Sequence, residues 1–156
     1  MHSFAENSAD GGEPNGSLVS DSVGNLYGTT LLGINSAWGM VYELTPQSGG
    51  TWQETVLHSF SGGTDGATPS SSVTLDASGN VWGTTQAGGS KGHGTLFEVT
   101  SALGGWNESV VHNFIISGSQ PYFPSSSVIF DAAGNAYGVT NYGGTADSGT
   151  VYEVTF

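Results

Sequence analysis

The 156-residue chain sets 13 acidic residues against one basic residue, Lys91, giving a formal net charge of −12. That balance excludes nucleic acid and anionic membrane surfaces as partners, because both are held by Lys and Arg. Cys is absent, which removes disulfides and thiolate metal sites, and no apolar run is long enough to insert into a bilayer.

The chain opens on Met1-His2-Ser3-Phe4 and runs straight into polar sequence, so no cleavable signal is expected at this point. A first strand, A, is expected near Ser17–Asp21, followed by the turn Asp21-Ser22-Val23-Gly24-Asn25. Asp bonds its own backbone in such a turn and Gly takes the positive φ. Strand B is Asn25-Leu26-Tyr27-Gly28-Thr29-Thr30, strand C is Val41-Tyr42-Glu43-Leu44-Thr45, and strand D runs from Trp52 to Phe60. The series then returns with a period of 55 residues. Strand A recurs at Ser72–Asp76 and Ser127–Asp131, strand B at Asn80–Thr85 and Asn135–Thr140, and strand C at Leu96–Thr100 and Val151–Thr155. Strand D recurs once, from Trp106 to Phe114.

No segment carries a 3.6-residue apolar period beyond one turn, so helix is expected to be nearly absent. In strand D, strict alternation would put Trp52, Glu54, Val56, His58 and Phe60 on one face. Both faces of the strands carry apolar residues, as sheets sandwiched between neighbouring sheets require. Short strands in blocks of four at this period predict an all-β propeller of four-stranded blades. A single β-sandwich is the rival, but it has no need for repetition in fours. One repeat domain is expected over 1–156, with blades at about 5–60, 61–114 and 115–156.

These runs resemble the GloVer tandem repeat. The resemblance rests on His-Ser-Phe, the Asp-x-x-Gly-Asn-x-Tyr-Gly-Thr-Thr run and the Gly-Thr-Val-Tyr-Glu-Val-Thr run, and it covers essentially the whole chain. It implies a β-propeller-like array in a bacterial secreted or cell-surface protein and brings no catalytic or ligand residues. The chain departs from the usual pattern of that family in showing neither a secretion signal nor an anchor.

Three blades do not close a circle, since propellers usually have ~4–8. The third blade also lacks its outer strand, which residues 1–4 replace in part. A ring completed by homo-oligomerisation is therefore expected, either a cyclic homodimer with six blades or a homotrimer with nine.

Little in the sequence points to chemistry. Glu54 and His58, repeated as Glu108 and His112, resemble metal ligands. Along one strand, however, they stand roughly 13 Å apart, so a structural pair or an inter-blade contact is the better reading. Glu43, Glu98 and Glu153 supply one carboxylate per blade, whereas a glycosidase needs two close ones. No nucleophile elbow, phosphate loop or dinucleotide fingerprint occurs, and no enzyme activity is expected. Function is sought where the repeats differ, in the D–A and B–C loops of one rim. Five non-repeating acids, Glu6, Asp10, Glu13, Asp65 and Asp147, fall there, with Lys91 and several aromatic residues. The ligand-binding candidates are Trp38, Asp65, His93, Tyr122, Phe123, Tyr142 and Asp147. They suit a glycan stacked on aromatic rings, or Ca²⁺ or a cationic partner held by carboxylates; no other cofactor is expected. A non-enzymatic structural or interaction module is the leading reading, and a lectin-like module the alternative.

Overall fold

A computed structural model describes residues 2–5, 10–34 and 37–156, so Glu6 lies outside the described residues. Twelve strands form three four-stranded antiparallel sheets, and no α-helix occurs among the described residues. The first sheet is β1 (Gly12–Ser20), β2 (Leu26–Leu32), β3 (Met40–Pro46) and β4 (Trp52–Ser59), paired in chain order. The second repeats that order with β5 (Thr74–Leu75), β6 (Val81–Thr85), β7 (Thr95–Ala102) and β8 (Gly105–Asn113). In the third, β9 (Tyr122–Pro124) and β10 (Ile129–Phe130) both pair with β11 (Ala136–Tyr142), which pairs with β12 (Thr150–Val154). Together β9 and β10 occupy the place of the single strand β1. No helix is long and apolar enough to cross a membrane among the described residues.

The turn that opens each sheet is held by its Asp. Asp21 Oδ1 accepts from the amides of Val23 and Asn25 at 3.0 and 2.9 Å, and Gly24 sits at φ 95°. Asp76 and Asp131 repeat both bonds. The second carboxylate oxygen takes the aromatic side chain of the following strand: Tyr27 OH at 3.3 Å, Trp82 Nε1 at 3.0 Å and Tyr137 OH at 3.1 Å. Glu43 and Glu153 accept from the same tyrosines, while Glu98 accepts from Asn80. These carboxylates are tied into turn and strand.

The sheets stack face to face, and the stacking forms the core. Tyr27, Val41, Leu57 and Phe60 of the first repeat meet Val73, Val81, Phe97 and Val99 of the second. Leu96 and Phe114 then meet Val128, Ala136 and Tyr152 of the third. At each junction a Phe ending strand D lies edge-on against the central aromatic of the next strand C. Phe60 stands 5.1 Å from Phe97, and Phe114 stands 4.9 Å from Tyr152. Phe4 makes the same contact with Tyr42 at 5.0 Å, so the N-terminal segment occupies the position of a preceding strand D. Polar bonds link equivalent positions: Asn15 to Ser70 O, Ser17 N to Ser72 Oγ, and Thr29 and Thr84 to Ser71 O and Ser126 O.

One expectation about strand D is corrected. Both β3–β4 and β7–β8 carry a register shift, between Val41 and Tyr42 and between Leu96 and Phe97. Leu44 pairs with Glu54 and Tyr42 with Val56, but Val41 pairs with His58. The extra residue, Leu57, breaks the alternation. Glu54 therefore shares the Tyr42 face, while His58 shares the opposite, Val41 face.

Candidate functional site

Five of the seven sequence-proposed residues meet at the junction of the second and third repeats. His93 lies 6.1 Å from Tyr122 and 5.4 Å from Phe123, between ring centroids. Tyr122 stacks on Tyr142 at 5.5 Å and 15°, and its hydroxyl donates to Asp147 Oδ1 at 2.8 Å. That bond, with burial and the Asp147 charge, raises the Tyr122 hydroxyl above its usual range. Asp147 Oδ1 also accepts from Gly143 N at 2.9 Å.

Trp38 and Asp65 lie at the junction before it. Trp38 covers the α-carbon of Gly62, where any β-carbon would strike the indole ring. Asp65 accepts from Ser61 N at 2.7 Å and Ser61 Oγ, and sits 3.3 Å from His58 Nε2. These bonds outweigh burial and hold its carboxyl below the usual range. Trp38 and His93 prove to occupy one repeat position. Their carbonyls accept from Thr68 N at 2.8 Å and Phe123 N at 3.0 Å. Thr68 and Phe123 both adopt positive φ, 57° and 53°, immediately before a proline. Glu13, at 56° before Pro14, is the first member of that series and belongs to β1, not to a loop. Tyr122, Phe123 and Tyr142 likewise belong to strands β9 and β11.

A second cluster draws its members from separate stretches of sequence. Asp10 and Asp65 stand 55 residues apart, each four residues before a proline, so they too share a repeat position. His58 contacts Asp65 at the first junction, and His2 takes the same role before the first repeat. His2 Nε2 is 3.3 Å from Glu54 Oε2 and 3.7 Å from Asp10 Oδ1. One ligating atom from each of the three lies within 4.8 Å of the other two. The Glu54 side chain is only 10% exposed, and among the described residues its Oε1, Asp10 Oδ1 and His2 Nε2 have no hydrogen-bond partner. Burial first, then Asp10, raises the Glu54 carboxyl to about 7. Beside the cluster a cavity of about 450 Å³ opens on the uncovered face of the first sheet, lined by His2, Phe4, Leu18, Tyr42 and Trp52 among others.

Three stacked antiparallel sheets, bonded to one another at equivalent positions, define a tandem β-repeat protein. A family model described as the Gloeobacter/Verrucomicrobia repeat matches residues 1–156, and the chain belongs to that family. The resemblance read from its motifs is thereby borne out. No curated protein and no solved structure matches the chain.

Proposed function

We propose that the chain is a non-enzymatic structural and interaction module that closes into a propeller ring by head-to-tail association with copies of itself, outside the cell. The observation that carries this reading is a pair of uncovered faces built like the covered ones. Leu18 holds the repeat position of Val73 and Val128, which are 2% and 0% exposed, yet it is 51% exposed. At the other end Ile129, Val139 and Val151 are exposed together and line one shallow depression. The face of one copy's third repeat matches what covers an internal repeat, and the first repeat of the next copy offers the receiving face. Such a contact is heterologous, and a heterologous contact ends only when it closes a ring. In a ring the segment bearing Phe4 would lie beside the neighbour's β12, as β4 lies beside β3.

Light scattering coupled to size exclusion tests the reading. A mass two or three times the 15.9 kDa of the chain is expected, for six or nine blades. A well-folded monomer overturns it.

The alternative, a glycan-binding rim, is favoured by exposed Tyr142 beside Tyr122 and Asp147 and by exposed Trp38. Replacing Trp38, Tyr122 and Tyr142 by Ala should abolish retention of an arrayed glycan and leave assembly intact. Retention that survives the triple change removes the proposed site.

A further inference from the structure

We propose that His2, Asp10 and Glu54 form a binding site for one divalent cation of the zinc class. Two carboxylates and a neutral imidazole sum to a charge of −2, which one divalent ion balances. An imidazole ligand disfavours Ca²⁺ and Mg²⁺, which take oxygen donors, and favours Zn²⁺ and its neighbours, which accept both nitrogen and carboxylate oxygen. Bonds of ~2.0–2.2 Å around a tetrahedral ion place ligand atoms roughly 3.4 Å apart. The observed separations from His2 Nε2, 3.3 Å to Glu54 and 3.7 Å to Asp10, sit close to that edge. A water molecule would complete four-coordination, as in zinc sites with three protein ligands.

The internal copy of the site explains why this one is different. At the first junction Asp65 Oδ1 takes the hydroxyl of Ser61, and Asp65 Oδ2 takes the Ser61 amide and faces His58. The residue at the Ser61 position is Ala5 in the N-terminal segment. Its amide donates to Asp10 Oδ2 at 3.0 Å, but it has no hydroxyl to give. Among the described residues Asp10 Oδ1 is therefore left without a hydrogen-bond partner, buried and close to His2. At the junction of the second and third repeats the aspartate position holds Gln120, so only His112 of the trio is present there. Among the described residues this leaves one such site. It ties three separate pieces of chain together: the N-terminal segment, the approach to β1, and β4.

The test is a calorimetric titration of Zn²⁺ into the full chain with any purification tag removed, alongside melting curves with and without Zn²⁺ and the visible spectrum of the Co²⁺ form. One ion per chain is expected, with a higher melting temperature. Disturbing groups that merely orient a ligand weakens metal affinity by ~10–100-fold, so Asp10→Asn, Glu54→Gln and His2→Ala should each do at least as much. His58→Ala should leave binding unchanged. Ala5→Ser supplies the hydroxyl that Ser61 gives Asp65, and this mild exposed change should weaken Zn²⁺ binding without disturbing the fold. Absence of binding to the folded wild-type chain would overturn the proposal. Binding that survives Asp10→Asn combined with Glu54→Gln and disappears only with His2 would also overturn it, assigning the ion to the N-terminal peptide alone.

Discussion

Val41 and Val151 occupy one repeat position on strand C, and the first is fully buried while the second is 77% exposed. The second repeat covers Val41; no described part of the chain covers Val151. The difference marks an apolar face of the third repeat that no described part of the chain covers.

Val151→Asp and Leu18→Asp should each leave the chain folded and reduce its mass to that of a monomer, read by light scattering. Mixing the two variants should restore a species of twice the chain mass, because each retains one intact face and the two intact faces meet head to tail. A mixture that stays monomeric would mean that the two faces are not partners.

Phe60→Ala removes a fully buried ring from the first inter-repeat core, where it packs on Phe97. Large-to-small changes of this kind cost about 3–5 kcal/mol. Urea denaturation should show that loss, and Phe4→Ala, at a less buried position, should show a smaller one.

How much was legible in the sequence follows from which interactions are local. The Asp21, Asp76 and Asp131 turns and the strands on either side could be read because each is written within about ten residues and repeated. The faces of strand D could not, because one bulge at Leu57 reverses the alternation beyond it, so spacing along the strand misplaced His58 relative to Glu54. The His2, Asp10 and Glu54 cluster is not legible either, because its members come from three different segments. The available signal was Asp10 and Asp65, both four residues before a proline, which alignment on those prolines would have paired. The rim cluster is legible because aromatic residues concentrate there, but Trp38 and His93 differ in identity and so hide the repeat position that they share.

Glu108 gives a pH dependence of definite sign. Burial, then the charge of Asp65, raises its carboxyl from 4.5 to about 7. Between those values the native state binds more protons than the unfolded state, so this group lowers stability as pH rises. Buried His112, with its pKa lowered, works in the opposite sense below 6.5. Glu108→Gln isolates the carboxyl: its melting temperature should exceed that of wild type at pH 8, and the gap should close toward pH 5.

Asp76 gives the converse. Burial would raise its carboxyl, but bonds from Trp82, Asn80 and Ser78 outweigh burial and lower it below 3.8. Its stabilisation is complete above the unfolded value and disappears as pH falls through the lowered one. Asp76→Asn turns an amide nitrogen toward two donors and should cost about 1–3 kcal/mol at neutral pH. Thermal melts should show the variant and wild type converging in acid.

The bonds from Asn15 to Ser70 and from Ser17 to Ser72 each span 55 residues, one whole repeat. A contact that reaches only from one unit to the next does not depend on how many units there are. Duplicating a 55-residue segment in the gene would therefore insert one sheet and one junction, with every older side chain keeping the neighbours it had. Lengthening the array is then a change in copy number at one added junction, and in the ring proposed above it would also change the number of blades.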